Sequence, residues 1–288
     1  MQPHGDPLNM PALPSASVVM LRDGAAGLEV FLLQRHGLSD VLGGAYVFPG
    51  GKVDREDVAL NARLDVPAAQ LHAALGESEL DEHQAAGLFV AAIREAFEES
   101  GVLYAQAPGV SAERVWSELR AGLHFDEIVE RDGLTLHASV LAPWSRWITP
   151  LVGGVVRKRF DTRFFVAAVP EGQQPVHDQH EAVESVWLTP RAALEQYWAG
   201  AIQMAPPQIM SLSHLSRFER VEQVLAQARG RTPPTIRPES FDIEGGRMLC
   251  YPGDERHSVR ERAMPGPTHL SWRNNRFEPD GGFEALFD

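Results

Sequence analysis

Three glutamates at helical spacing are the side chains of this sequence best suited to chemistry. Glu95, Glu98 and Glu99 stand at positions i, i+3 and i+4 of the run REAFEESG, and a helix of about 3.6 residues per turn places them on one face. Like charges at this spacing repel by about 0.2–0.5 kcal/mol per pair. A hard divalent cation such as Mg²⁺ would offset that repulsion. The alternative interpretation is a solvated acidic face on a surface helix.

The residues around these glutamates match a longer pattern. The sequence resembles the Nudix hydrolase family, whose box reads G-x(5)-E-x(7)-R-E-U-x-E-E-x-G-U, with U a bulky aliphatic residue. Gly51 stands at the first position, and the helical half is filled in order by Arg94, Glu95, Glu98, Glu99, Gly101 and Val102. Six fixed identities at the right spacing, preceded by FPGGKVD, make a chance match improbable.

The box departs from the family pattern at three places. Its first acidic position falls on Asp57 rather than on a glutamate, with Glu56 one residue away, and Ala96 fills an aliphatic position. Residues 58–93 stand where the pattern has only seven, so a long insert separates the glycine loop from the helix. The role of Asp57 is therefore open.

Such an insert resembles the Nudix motif-19 subfamily, which includes peroxisomal coenzyme A diphosphatases. The resemblance extends through WSRWITPLVGGVVRKRFDTRFFVAAVP, APPQ ahead of a helix and YPGDE near the end, and covers roughly residues 16–255. It implies hydrolysis of a nucleoside diphosphate linked to another moiety, here coenzyme A or acyl-coenzyme A. Because LLQRHGLSDVLG lacks most of the upstream half of a coenzyme A pyrophosphatase pattern, an ADP-ribose or NADH pyrophosphatase stays open as the alternative.

The resemblance also assigns roles to residues. It implies that the three glutamates bind Mg²⁺ or Mn²⁺, that Arg94 orients a carboxylate through a bidentate contact, and that Glu98 and Arg94 are catalytic. Gly50 and Gly51 would let the loop pass close to the metal helix and the substrate. The general base is assigned to Glu181, six residues before Trp187, with Glu184 as its rival. Glu181 has the further reading of a metal ligand, and either acid has that of a solvated loop residue.

A basic patch is the next candidate for substrate binding. Arg157, Lys158, Arg159 and Arg163 form the densest cluster of cations in this chain, and the three arginines are expected either to contact substrate phosphates or to pair on the surface.

The run from His177 to His180 is a weak transition-metal signal because it lacks a helical frame.

Two further features have alternative readings. Trp144 and Trp147 would either stack on an adenine or pack in the core. Cys250, the sole cysteine, is interpreted as a buried inert thiol rather than a nucleophile, because strand-like apolar residues flank it.

Bulk properties restrict the partners. The formal net charge is −13, which argues against a nonspecific nucleic-acid binder but not against a small anionic substrate bound through metal. No apolar segment reaches the roughly 18 residues of a membrane span, and the first residues lack the basic start and apolar core of a secretory signal. The expected compartment is the cytoplasm.

The pattern of elements is mixed α and β. Strands are predicted at 16–21, 28–35, 163–170 and 183–189, and a helix capped by Asp81 or Ser78 is predicted to run to Ser100 and stop at Gly101. Further helices are predicted after Pro67, within 110–137, at 190–200 and, as one longer helix, from 207 to about 229.

The resemblance implies an α+β Nudix fold, an α/β/α sandwich with a mixed sheet, plus a helical insert and a C-terminal extension. The expected organisation is a flexible lead-in at 1–15, a Nudix domain at 16–205 with its insert at about 58–85, and a C-terminal helix and extension at 206–288 packed on that domain. This last segment is expected either to complete the substrate pocket or to form a homodimer contact.

Two other functions remain as alternatives: a non-catalytic Nudix ligand sensor, and an isomerase of isoprenoid diphosphates, which would need a cysteine in the cleft.

Overall fold

The computed structural model describes residues 11–36, 43–150, 158–177 and 182–288. The helices of this part are α1 (Arg55–Ala59), α2 (Ala68–Leu75), α3 (Glu82–Ser100), α4 (Ala112–Arg120), α5 (Phe125–Asp132), α6 (Pro190–Trp198), α7 (Pro206–Leu215) and α8 (Val221–Arg229), with short 3₁₀ turns at Leu60–Arg63, Ala138–Val140 and Phe283–Leu286. The strands are β1 (Leu13–Gly24), β2 (Gly27–Arg35), β3 (Tyr46–Val47), β4 (Gly50–Lys52), β5 (Ala105–Gln106), β6 (Thr135–Leu136), β7 (Ala142–Ile148), β8 (Phe160–Ala168), β9 (Ala182–Leu188), β10 (Thr235–Ile236), β11 (Glu239–Ile243), β12 (Gly246–Cys250), β13 (His269–Arg273) and β14 (Arg276–Glu278).

A mixed sheet of eight strands organises the described chain. Its main path runs β10-β7-β8-β1-β2-β3, while β4 pairs with the first half of β1 and β9 pairs with β2. The pairs β1–β8 and β7–β10 are parallel, and the hairpin β1–β2 is antiparallel. The strands predicted at 16–21, 28–35, 163–170 and 183–189 are confirmed as β1, β2, β8 and β9, with β1 beginning three residues earlier.

Alternation along the strands separates two hydrophobic cores. Val18 and Met20 of β1 face the core that contains α3, whereas Val19 and Leu21 face the core formed with α6, α7 and α8. Strand residues point alternately to opposite faces, so one apolar strand serves both layers. The resulting architecture is a sheet between two helical layers.

The central helix α3 begins and ends where the sequence predicts. Asp81 accepts a hydrogen bond from the backbone of Gln84 at 2.7 Å, and the Gln84 side chain accepts one from the backbone of Asp81 at 3.2 Å, which forms a capping box. Gly101 ends the helix with φ of 72°, a left-handed conformation that glycine adopts without strain. Asp81, and not Ser78, is therefore the N-cap.

The insert is held against the sheet by buried charges. Glu77, between α2 and α3, accepts hydrogen bonds from both Nε and NH2 of Arg163, with 3.0 Å at Nε. Arg146 contacts the same carboxylate at 2.8 Å and Asp161 at 2.8 Å. Because these side chains are largely buried, each charge depends on its partners.

The C-terminal part packs on the second face of the sheet. Leu270, Leu286 and Ile236 share one core with Val19 and Leu21, and β11 to β14 form a separate antiparallel sheet. None of the helices within the described residues has the length and apolar character needed to cross a membrane.

The prediction of one long helix from 207 to about 229 is wrong. Two helices, α7 and α8, occupy this stretch. Arg220 is extended at the start of α8, with φ −137° and ψ 149°, and this break allows Phe218 to pack edge-on against Trp144 at 6.2 Å. Tertiary packing therefore overrides the local helical pattern.

Candidate active site

The glycine loop lies directly against α3. A Cβ at Gly51 would fall 2.3 Å from Oε1 of Glu95, and one at Gly50 would fall 2.4 Å from the backbone oxygen of Ala16. The loop pairs with β1, with Gly51 opposite Ala16. At Gly50 the obstacle is backbone, so glycine is needed for this close approach, whereas at Gly51 a Cβ would displace the Glu95 carboxylate. The two halves of the box, distant in sequence, therefore meet in space.

Arg94 joins the carboxylates of the site. Its NH1 group donates to Glu95 Oε1 and to Glu98 Oε2, each at 2.9 Å, and its NH2 group donates to the backbone oxygen of Lys52 at 2.9 Å. Burial alone would lower the pKa of this guanidinium, but the hydrogen bond to Asp57 and the surrounding carboxylate charges raise the pKa above its ordinary value. Arg94 is therefore permanently charged.

Asp57 reaches Arg94 in spite of the insert. Its oxygens accept from Arg94 Nε at 2.8 Å and NH2 at 3.0 Å, and its Oδ2 also accepts from the backbone N–H of Asp54 at 2.8 Å. Asp57 is 1% exposed. The sequence left its role open; the geometry makes it the bidentate partner that fixes the guanidinium.

The three helical glutamates have different partners. Glu99 Oε2 accepts a hydrogen bond from the backbone N–H of Gly50 at 2.8 Å, whereas Glu95 and Glu98 contact Arg94. Among the described residues, no three carboxylate, imidazole or thiol side chains are arranged as they stand to hold a metal ion. The assignment of Glu95, Glu98 and Glu99 as metal ligands therefore stays a prediction.

A cavity of about 450 Å³ adjoins this cluster. One wall comes from the box residues and α1, and the other from the start of α5. Its described lining contains the carboxylates of Asp54, Glu56, Asp57, Glu98, Asp126 and Glu127, together with Arg94 and His124. The α5 wall was not expected from the sequence, because a capping residue such as His124 marks where a helix begins but not where it packs.

Of the two candidates for the general base, only one lies among the described residues. Glu181 lies outside the described residues. Glu184 is exposed on β9 and accepts a hydrogen bond from the Tyr46 hydroxyl at 2.8 Å, on the sheet face that carries α6 and away from α3. Burial, with Glu184 as hydrogen-bond partner, raises the pKa of Tyr46 to about 12, so this bond persists at neutral pH.

The histidine signal is only partly described. His177 Nδ1 lies 3.1 Å from the Ser185 hydroxyl, while Asp178 and His180 lie outside the described residues. The transition-metal reading of this run stays untested.

The basic patch does not act as one surface. Arg163 is 3% exposed, and its guanidinium bonds Glu77 and the backbone of Asp161. This burial leaves no exposed face for a phosphate, so we do not retain Arg163 among the substrate residues. Arg159 lies at the start of β8, where Nε donates to the Thr149 backbone oxygen at 3.1 Å. Arg157 lies outside the described residues.

Trp144 and Trp147 are both core residues. A bulge in β7 between Pro143 and Ser145 turns both rings to one face, and each is under 5% exposed. Trp144 lies 4.4 Å from the His214 ring and Trp147 lies 5.6 Å from the Tyr251 ring. Core packing, one of the two readings of this pair, is the one observed.

Cys250 is buried, as the sequence indicated. Burial, followed by the charge of Asp254 and a hydrogen bond to it, raises the pKa of the thiol to about 12. The thiolate required for nucleophilic chemistry is therefore scarce at neutral pH.

Comparison with known proteins shows which proteins this chain resembles. The family model described as the NUDT19 Nudix domain matches residues 72–215. The acyl-coenzyme A diphosphatase NUDT19 of Xenopus laevis is 27% identical over 275 residues, covering 81% of this chain and 72% of that protein. The protein of the same name from Homo sapiens is 27% identical over 276 residues, covering 80% and 72%. The putative nudix hydrolase 7 of Caenorhabditis elegans is 28% identical over 253 residues, covering 83% and 72%.

A solved structure shares the architecture. The NUDIX hydrolase from Alicyclobacillus acidocaldarius has a TM-score of 0.62 and 24% sequence identity, and the match covers 76% of this chain and 97% of that one. At this level of identity the likeness concerns the fold alone. It confirms the mixed-sheet sandwich that the resemblance implied.

Proposed function

The chain belongs to the Nudix hydrolase family, in the group of the NUDT19 Nudix domain, and on that premise we propose that it hydrolyses the diphosphate bond of coenzyme A or acyl-coenzyme A. The coenzyme A moiety is suggested by relatives named acyl-coenzyme A diphosphatase that align over 72% of their length. The observation that carries the proposal is the cluster in which Arg94 joins Asp57, Glu95 and Glu98 beside Gly51.

The donor set suits a hard divalent cation. Four carboxylates contact one guanidinium, which leaves an excess of negative charge in a partly buried place. A diphosphate would be repelled by this cluster and by the acidic cavity beside it unless a cation intervened. Carboxylate oxygens are the ligands that Mg²⁺ and Mn²⁺ prefer. We propose that Glu95, Glu98 and Glu99 hold the cation.

The protein's own groups would prepare the reaction around that ion. When bound, the cation would neutralise the diphosphate and activate water for attack at phosphorus. Arg94 restrains Glu95 and Glu98, and the Gly50 N–H restrains Glu99. Because these carboxylates are restrained before substrate binds, less reorganisation accompanies the reaction. Arg157 and Arg159 are proposed to contact substrate phosphates, and Glu181 to accept the proton of the water.

A substrate screen tests the proposal. The purified full chain, with Mg²⁺ or Mn²⁺, is assayed by chromatography against coenzyme A, acyl-coenzyme A, ADP-ribose, NADH, dinucleoside polyphosphates and oxidised nucleoside triphosphates. The expected result is the highest kcat/KM for coenzyme A or its acyl esters, giving adenosine 3',5'-bisphosphate and a phosphopantetheine, and loss of turnover in EDTA. A preference for ADP-ribose or NADH would contradict the substrate assignment.

A matched pair of variants tests the metal ligands. Glu98→Gln is expected to lower kcat/KM by roughly 100-fold or more and to weaken Mn²⁺ binding measured by electron paramagnetic resonance. Glu222→Gln, an exposed change of the same kind on α8, is expected to leave both quantities unchanged. Unaltered Mn²⁺ binding in Glu98→Gln would remove this residue from the ligand set.

The domain organisation, partners and location are part of the same proposal. Residues 206–288 share a core with β1 and β2, which supports treating them as one folded unit with the Nudix domain. We propose a small-molecule nucleotide substrate, no nucleic-acid partner and a cytoplasmic location. Sedimentation equilibrium distinguishes a monomer from a homodimer formed through this segment.

A further inference from the structure

A second cavity of about 450 Å³ lies away from the Nudix box. It is enclosed by the segment that follows α3, the turn before β7, the end of β8 and the helix α8, and it shares no lining residue with the acidic cavity. Ala168 in its wall pairs with Leu21, whereas Gly51 pairs with Ala16. Five strand residues, about 17 Å at roughly 3.3 Å each, therefore separate the two places along β1.

The lining of this cavity is apolar with a cationic rim. Leu103, Val140, Val169 and Leu225 supply apolar surface. Arg229 lines the cavity at the end of α8 and is exposed. No carboxylate occurs among the described lining residues, although the chain carries a net charge of −13. The charge at this mouth thus attracts an anion, whereas the lining of the first cavity repels one.

The wall of this cavity carries a buried hydroxyl. Tyr104 lines the cavity and is 1% exposed, yet among the described residues its hydroxyl has no hydrogen-bond partner. A buried polar group without a partner is costly. Because the hydroxyl oxygen has almost no accessible surface, an acceptor on a ligand would satisfy it only after the ring turned towards the cavity.

We propose that this cavity binds a free fatty acid, with the alkyl chain against the apolar walls and the carboxylate at Arg229 on the rim. Its volume falls in the range of about 300–1,000 Å³ typical of small-molecule sites. A free acid is favoured over the acyl chain of a thioester, because a thioester carries no charge for the arginine to meet. The inference does not depend on which diphosphate the enzyme hydrolyses.

Titration calorimetry with the full chain tests this site. Octanoate, decanoate and dodecanoate are expected to bind at one site per chain, with affinity rising up to about fourfold per added methylene until the cavity is full. Dodecanol is expected to bind at least about tenfold more weakly than dodecanoate, because it lacks the charge that Arg229 contacts. Equal binding of the alcohol and the acid would overturn the proposal.

Variants locate the site. Arg229→Gln is expected to weaken dodecanoate binding roughly tenfold, and Tyr104→Phe, which removes only the hydroxyl, to weaken it less. Ala168→Trp, at an exposed position of the wall, is expected to abolish binding by filling the cavity. The matched control is Arg120→Gln, because Arg120 is the last residue of α4 as Arg229 is of α8.

Further outcomes contradict the assignment. These are the absence of saturable binding, full affinity in both Ala168→Trp and Arg229→Gln, and equal weakening in Arg120→Gln. Displacement of dodecanoate by dodecanoyl-coenzyme A at equimolar concentration would also refute it, because the cavity would then take the acyl chain of the substrate. Thermal melting of each variant excludes loss of the fold as the cause.

Discussion

Replacement of Asp57 by asparagine tests whether the first half of the split box holds Arg94. Asp57 accepts two hydrogen bonds from the guanidinium and one from the Asp54 backbone. Asparagine has nearly the same shape but no charge, and its amide nitrogen would face one of the N–H groups that now meets an oxygen. The substitution therefore removes one charge-assisted contact without opening a cavity.

The expected cost follows from what Arg94 retains. A hydrogen bond to a charged group contributes about 1.5–3 kcal/mol, and isolating a buried charge costs about 3–5 kcal/mol. Because Glu95 and Glu98 still contact Arg94, the lower range applies, and we expect about 2 kcal/mol. For a chain of this size that is a fall in Tm of about 4 °C. A positioning residue of this kind typically alters activity by about 10–100-fold.

Asp54 is the matched control. It lies 3.5 Å from the same guanidinium, but its side chain is 58% exposed, and exposed ion pairs contribute about 0–1 kcal/mol. Asn is as good an N-cap for α1 as Asp. Urea unfolding and metal-dependent turnover are measured for both variants. If Asp57→Asn behaves like Asp54→Asn in both measurements, Asp57 does not position Arg94 and the reasoning is wrong.

Three further predictions concern the loop, the insert and the acid limb of stability. Gly51→Ala places a Cβ 2.3 Å from the Glu95 carboxylate, so we expect a loss of Mn²⁺ affinity larger than the loss of unfolding free energy, with equal losses arguing against a metal role. Arg163→Met is expected to cost about 1.5–3 kcal/mol, because Glu77 loses its two hydrogen bonds from Arg163 but keeps its contact with Arg146. The double change of Arg163 and Glu77 to methionine should cost less than the sum of the single changes, and a urea double-mutant cycle without coupling would contradict the pairing. Burial, with two nearby arginines, lowers the pKa of His214 to about 3. As pH falls, the imidazole of the unfolded chain therefore binds a proton before that of the folded chain does. The free energy of unfolding is lost between about pH 6.5 and pH 3, by up to about 1.4 kcal/mol per pH unit. Unfolding free energies at pH 7, 6 and 5 should fall less steeply in His214→Gln, and identical slopes would refute the assignment.

Local sequence information was sufficient for the central helix and its flanking strands. The capping signal at Asp81 and the glycine at position 101 are short-range features, and both ends of α3 follow from them. The alternation of β1 likewise predicts a strand whatever surrounds it. The break between α7 and α8 was missed, because it depends on the packing of Phe218 against Trp144.

In the candidate site, too, local features were predictable from the sequence and long-range contacts were not. The helical spacing of Glu95, Glu98 and Glu99 is visible in the sequence, and so is the match of Arg94 to the box. The partner of Arg163 is 86 residues away in Glu77, so a patch that reads as surface charge proved to contain a buried cation. The α5 wall of the acidic cavity has no sequence signal, because a helix start does not reveal its neighbours.

The tolerance of the box for a long insert has a structural explanation. The last residues of the insert, 82–85, add about one turn to the N-terminal end of α3 and leave the spacing of Arg94, Glu95 and Glu98 unchanged. The rest leaves through α1 and returns through α2, and it is held at both ends: Asp57 bonds Arg94 and Glu77 bonds Arg163. The box requires Asp57 and Gly51 near α3 in space. The bonds to Arg94 hold Asp57 there, and the pairing of β4 with β1 holds Gly51. Additional chain between Asp57 and Glu77 therefore leaves the contacts of the box in place.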